Sequence, residues 1–81
     1  MKIKVVYFAR YREVLGCDGE ALEGDFTRVE DVRQALLGKG ERHAVLAEQN
    51  LMCARNQDLC KPDEVLEDGD EVAFFPPVTG G

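Results

Sequence analysis

The stretch Glu71-Val72-Ala73-Phe74-Phe75-Pro76-Pro77-Val78-Thr79-Gly80-Gly81 sets the tightest limits on the fold. In a strand, Val72 and Phe74 point to one face and Ala73 and Phe75 to the other. Apolar side chains on both faces suit an inner strand covered on both sides. Pro76 stops the ladder because it has no backbone donor. Two consecutive prolines favour an extended, polyproline-like exit. Val78, Thr79, Gly80 and Gly81 have no charged and no large side chain. The sequence thus predicts one domain over residues 1–77 and a flexible tail, residues 78–81, leaving from a buried strand.

The opening run supplies a partner for that strand. Ile3, Val5 and Tyr7 share one face of a strand from Lys2 to Phe8, with Lys2, Lys4, Val6 and Phe8 on the other. Phe8 is expected to lie partly exposed. Ala9 to Leu15 reads as a short helical turn with Tyr11, Val14 and Leu15 as contacts, closed by Gly16. Glu20 to Glu23 is a weak strand returning as a hairpin. Thr27 and Glu30 have the spacing of a capping box. Behind them Val29, Val32, Ala35 and Leu36 form one apolar stripe. Gly38 and Gly40 end this main helix. A second short helix is expected between Glu41 and Gln49. Strands follow at Leu51 to Asn56 and at Leu59 to Cys60, joined by a turn at Asn56 to Asp58. Val65 and Leu66 form a small anchor, and Asp68 to Asp70 the last turn. This order predicts an α+β roll. Its mixed sheet has first and last strands central and parallel, with the helix in the crossover.

Composition narrows the function. Eighty-one residues make one small domain. The formal charge of −6 argues against nucleic acid, whose phosphates need a basic surface. No apolar run has the length of a membrane span or the layout of a signal peptide, so the cytoplasm is the expected compartment. Acidity concentrates between Asp58 and Glu71, where only Lys61 opposes seven carboxylates. Two readings stand: a solvated face, or an electrostatic handle for a basic partner. Cys17, Cys53 and Cys60 form no Cys-x-x-Cys pair, and with one histidine no zinc set exists. Reduced thiols are expected, with Cys53 and Cys60 as core fillers.

No catalytic constellation emerges. His43 suits a surface role. Gly38, Lys39 and Gly40 match no phosphate loop. The carboxylates all lie in exposed-looking contexts, and none proposes acid–base catalysis. One distinctive group remains, the C-terminal carboxylate of Gly81, ionised at neutral pH with an ordinary pKa of roughly 3.5. An anion is a poor electrophile until activated as a mixed anhydride. That chemistry belongs to another protein's active site, reached through a narrow channel. Glycine suits such a channel, since backbone without Cβ approaches closely. The competing reading is a frayed terminus that happens to contain glycine.

The chain resembles the family of small, sulfur-carrying subunits of molybdopterin synthase, which have the ubiquitin-like β-grasp fold. The resemblance lies in Asp68 to Gly81, in Ile3 through Phe8 with Ala9, Arg12, Glu13 and Gly16, and in Asn56 and Gln57 before Leu59. It implies that a ubiquitin-activating-like enzyme adenylates Gly81 with ATP, and that sulfur then replaces the nucleotide as a thiocarboxylate. It implies that the tail, Val78, Thr79, Gly80 and Gly81, enters the large catalytic subunit within a heterotetramer. There the sulfur passes to a cyclic pyranopterin phosphate to build the molybdopterin dithiolene. No cofactor, metal or active site is expected on this chain. Phe8, Leu59 and Phe75, with Pro76 and Pro77, resemble the docking surface, although Phe75 also suits simple core packing. Two alternatives remain. One is a sulfur carrier for the thiazole of thiamine, usually shorter and without the aromatic–diproline approach. The other is a ubiquitin-like conjugation or interaction module forming isopeptides with lysines.

Overall fold

The computed structural model describes residues 1–77; Val78, Thr79, Gly80 and Gly81 lie outside them. In the first strand, β1 (Lys2–Tyr7), Ile3, Val5 and Tyr7 are buried on one face. The strand ends one residue before Phe8, but the Phe8 N–H still donates to the Phe74 carbonyl at 3.2 Å. Helix α1 (Arg10–Leu15) buries Tyr11 and Leu15 and closes at Gly16 in the left-handed region, φ 73°. Val14, expected as an apolar contact, is exposed. Strand β2 (Gly19–Glu23) pairs antiparallel with β1, in a register that sets Glu20 beside Val5. Gly19 is dictated by this pairing, since a Cβ there would sit 2.2 Å from the Val5 carbonyl oxygen.

The main helix, α2 (Val29–Leu37), starts later than a Thr27 cap requires. The Thr27–Glu30 capping box does not form, because other groups take the free donors of the first turn. The Val29 and Glu30 N–H groups donate to the carbonyls of Glu64 (3.0 Å) and Pro62 (2.9 Å). The Asp31 carboxylate accepts from the N–H of Thr27 (2.8 Å) and Arg28 (2.9 Å). Glu30 binds Arg33 and Gln34 instead. The Pro62–Glu64 loop and the Asp31 carboxylate together replace the cap expected from Thr27 and Glu30. Val29, Val32 and Leu36 are buried as the stripe predicts, but Ala35 is exposed and Leu37 packs against the core in its place.

The second helical segment (Glu41–Ala47) is a 3-10 helix that buries Leu46. Strands β3 (Met52–Arg55) and β4 (Asp58–Cys60) form a hairpin in which Arg55 faces Asp58. The linking residues, Asn56 at φ 49° and Gln57 at φ 72°, both take the left-handed conformation of a two-residue type I′ turn. The last turn, at Gly69 with φ 88°, leads into β5 (Glu71–Phe75). Strand order is β2-β1-β5-β3-β4, with β1 and β5 parallel and the other pairs antiparallel. This is the α+β architecture of the ubiquitin-like β-grasp.

Helices cover one face of the sheet. Ile3, Val5, Tyr7, Val72, Phe74 and Cys53 meet Tyr11, Leu15, Val29, Val32, Leu36, Leu46 and Leu66 in one core. Each large apolar side chain in such a core contributes about 1.5–3 kcal/mol. The expectation that β5 is covered on both faces is corrected here. Among the described residues no helix packs on the opposite face, where Phe75 is half-buried. Ala73 is nevertheless buried on that side, because it is small and flanked by β1 and β3.

Candidate functional site

The strand register assembles the site on the uncovered face. Val6 pairs with Ala73, Ala73 with Ala54, and Ala54 with Leu59, so these four share one row and one face. Met52 pairs with Phe75 in the next row. Small residues in the middle of the sheet and larger ones around them leave an open groove of about 740 Å³. Ala54 and Ala73 form its floor. Phe8, Ala9, Phe75, Pro76 and Pro77 line one part, and Gln57, Leu59 and Glu71 another. The five docking residues named from the sequence therefore meet in one groove. Val78, Thr79, Gly80 and Gly81 fall outside the described residues.

Phe8 is 46% and Leu59 66% exposed, a standing cost for large apolar side chains in water. The Phe8 and Phe75 rings pack edge to face, with centroids 6.4 Å apart and planes at 79°. Ala9, next to Phe8 in the lining, has a φ of 54° that a residue with a Cβ rarely adopts. The lining offers hydrophobic contact and two polar groups, Gln57 and Glu71. Among the described residues no three potential metal ligands cluster. Such a lining suits contact with an apolar surface more than with a polar ligand.

The root of the groove is tied down by a buried carboxylate that the sequence does not reveal. Asp70 is 7% exposed. It accepts from Asn56 Nδ2 (3.0 Å), Arg55 Nε (2.7 Å) and the Glu67 N–H (2.8 Å). Burial opposes its ionisation, but hydrogen bonds from Asn56, Glu67 and Arg55 hold its carboxyl below the usual carboxylate range. Arg55 also reaches Glu64 at 3.3 Å and Glu67 at 3.7 Å. Part of the acidic run is thus internally paired. Asp58, Asp63 and Asp68 stay exposed.

A second knot lies on the helix-covered side. The Glu20 carboxylate accepts from Tyr7 Oη at 2.6 Å and pairs with Lys39 and with His43 Nε2 at 3.0 Å. Burial works against its charge, yet the bonds from Lys39, Tyr7 and His43 prevail and lower its pKa to about 2. Burial and the same carboxylate push the Tyr7 hydroxyl well up. Glu20 and Asp70 contradict the expectation that every carboxylate is exposed. His43, expected at the surface, is mostly enclosed beside Glu20. Cys17 is exposed, while Cys53 is buried with its thiol pushed up to about 12, chiefly by burial. Cys60, on the paired strand, lies with its Sγ 3.7 Å from that of Cys53.

Residues 5–81 match the ThiS family. The chain belongs to that family. The chain is 49% identical over 80 residues to the molybdopterin synthase sulfur carrier subunit of Escherichia coli strain K12, covering 98% of this chain and 99% of that one. Among solved structures, a putative molybdopterin converting factor subunit 1 from Pyrococcus furiosus is 35% identical. It superposes with a TM-score of 0.77 over 96% of this chain and 99% of that one. The small archaeal modifier protein 1 of Haloferax volcanii is 27% identical with a TM-score of 0.77, covering 95% and 98%.

Sequence reasoning missed Ala9, Ala54, Gln57, Glu71 and Ala73 as groove residues. Ala73 alternates with Phe74 and so shares a face with Phe75, a signal already present in the sequence. Ala54 required the pairing register, which no single strand carries.

Proposed function

We propose that this chain is the sulfur carrier subunit of a molybdopterin synthase. The observation that carries the reading is the end-to-end 49% identity to a carrier of that name. The groove supports it, because the chain exits to its tail at Pro76 and Pro77, on the edge of a surface suited to docking. In this reading the groove binds the large catalytic subunit, with Phe8, Leu59 and Phe75 as apolar contacts. The tail then extends into that subunit. Four residues, Val78 to Gly81, reach at most about 14 Å beyond Pro77. Strand β5 is hydrogen-bonded on both sides, by β1 and β3, so the point from which the tail leaves is fixed.

The chemistry takes Gly81 as the reacting residue. An adenylating enzyme couples its carboxylate to ATP, forming an acyl adenylate and releasing pyrophosphate. Sulfide-level sulfur, as hydrosulfide, attacks the acyl carbon, the carbon–oxygen bond to AMP breaks and AMP leaves, giving a thiocarboxylate. In the large subunit the thiocarboxylate sulfur attacks a carbon of the cyclic pyranopterin phosphate; a C–S bond forms, a C–O bond at that carbon breaks and its oxygen substituent leaves, so the carrier is held as a thioester. Water then releases the acyl group, and its oxygen restores the carboxylate. Two rounds supply both dithiolene sulfurs. This chain contributes delivery, and the catalytic side chains sit on its partner.

The likeness to small archaeal modifier protein 1 favours a second reading, conjugation of the terminus to lysines. Intact mass after co-expression with an adenylating enzyme and a sulfur source separates the two. The carrier reading predicts a species heavier by the sulfur-for-oxygen difference, mapped to Gly81. Lysine adducts without that species would establish the modifier reading instead.

A further inference from the structure

We infer that Arg55, Asn56 and Asp70 form a positioning device that sets Gln57 and Leu59, the outer wall of the groove, relative to the root of the tail strand. What docks there rests on the carrier reading; the positioning itself does not.

Strand β4 is three residues long and lies at the sheet edge, and Leu59 is too exposed for packing to hold it. Its position comes from the short ladder to β3 and from the turn that sets that ladder's register. Asn56 ties that turn to the centre of the sheet through three bonds. Its N–H donates to the Glu71 carbonyl at 2.8 Å. Its Oδ1 accepts from the Glu71 N–H at 2.9 Å, and its Nδ2 donates to Asp70 Oδ1 at 3.0 Å. The other Asp70 oxygen takes Arg55 Nε and the Glu67 N–H. Asp70 precedes Glu71, the first residue of β5, and Glu71 lines the groove opposite Phe75.

The amide orientation is forced. Turned over, Asn56 would set its NH2 against the Glu71 N–H and its oxygen against the Asp70 carboxylate. No other side chain does both tasks in so short a span. An aspartate at 56 keeps the bond from Glu71 but opposes Asp70. A glycine keeps the left-handed turn but loses both side-chain bonds. Asn56 therefore locks the hairpin tip to the tail strand as well as forming the turn.

A reciprocal exchange tests this. Asn56→Asp sets two carboxylates together and removes the donor. Adding Asp70→Asn restores each bond: the new amide oxygen accepts from Arg55 and Glu67, and its nitrogen donates to the new carboxylate. Asn56→Gly separates the side-chain bridge from the turn. Two quantities are read on folded protein, well below each variant's unfolding midpoint. They are the Kd for the large subunit of molybdopterin synthase and 15N relaxation dispersion at Gln57, Asp58 and Leu59. Asn56→Asp and Asn56→Gly are expected to raise Kd about tenfold and to introduce exchange at those amides, and the double exchange to reverse both. A lowered midpoint with unchanged Kd and flat dispersion in the single variants would overturn the inference, leaving the network a purely structural clamp. If the wild-type protein does not bind the large subunit, the carrier reading fails, and dispersion alone decides: exchange in both single variants upholds the positioning role, flat profiles refute it.

Discussion

The two faces of the sheet use the same five strands and end differently. On the helix-covered face Val5, Tyr7, Val72 and Phe74 are closed off from solvent. On the other, Phe8 and Leu59 stand exposed around a floor of Ala54 and Ala73. Alternation along β5 puts Phe74 and Phe75 on opposite sides of this divide. One aromatic serves the fold and its neighbour serves the surface. Side-chain size separates the faces as much as polarity does. Large residues in the centre fill the covered face, whereas small ones in the centre of the open face leave room for another molecule.

Substitutions can break this contrast, and the largest effect belongs to the covered face. Phe74→Ala should cost about 3–5 kcal/mol, since the cavity lies in a closed core. Denaturant unfolding measures it, and a loss below about 1 kcal/mol would erase the distinction between the faces. Acid should act next, through the Glu20 knot. Its folded pKa is depressed from 4.5 to about 2, so its contribution is complete above 4.5 and is lost as pH falls to about 2. Glu20→Gln should lower the thermal midpoint at pH 7 and flatten its fall across that window. A variant as acid-sensitive as the wild type would show that other carboxylates, Asp70 foremost, carry the acid response. The smallest stability change is expected on the open face. Phe75→Ala should cost about 1 kcal/mol, with a thermal shift of about 4–8 °C, and should weaken docking to the large subunit by about thirtyfold or more, about 2 kcal/mol. Equal losses in stability and in binding would return Phe75 to the core.

Local signals in the chain were readable where one segment suffices. The β1 alternation, the Gly16 closure, the Asn56–Gln57 turn and the diproline end of β5 each follow from neighbours in sequence. The resemblance named the docking residues, and register explains why they meet. What the sequence hid depends on distant partners. Thr27 has the chemistry of a cap, but carbonyls of Pro62 and Glu64 reach the helix start first. Glu20 and Asp70 look like solvated acids until Lys39, His43 and Arg55 fold onto them. Both faces of β5 read as covered because Ala73 and Phe75 are apolar, and sequence does not say whether a helix or a partner does the covering.

The carrier reading comes down to the Gly81 carboxylate, and one appended residue tests it. A chain with a single alanine after Gly81 keeps the fold, the groove and both carboxylate knots while moving the terminal carboxylate off Gly81. Dithiolene formation in a reconstituted synthase, with the adenylating enzyme, ATP and a sulfur source, is then compared with wild type. The account predicts an unchanged thermal midpoint, unchanged docking and no sulfur transfer. Transfer at the wild-type rate would contradict it.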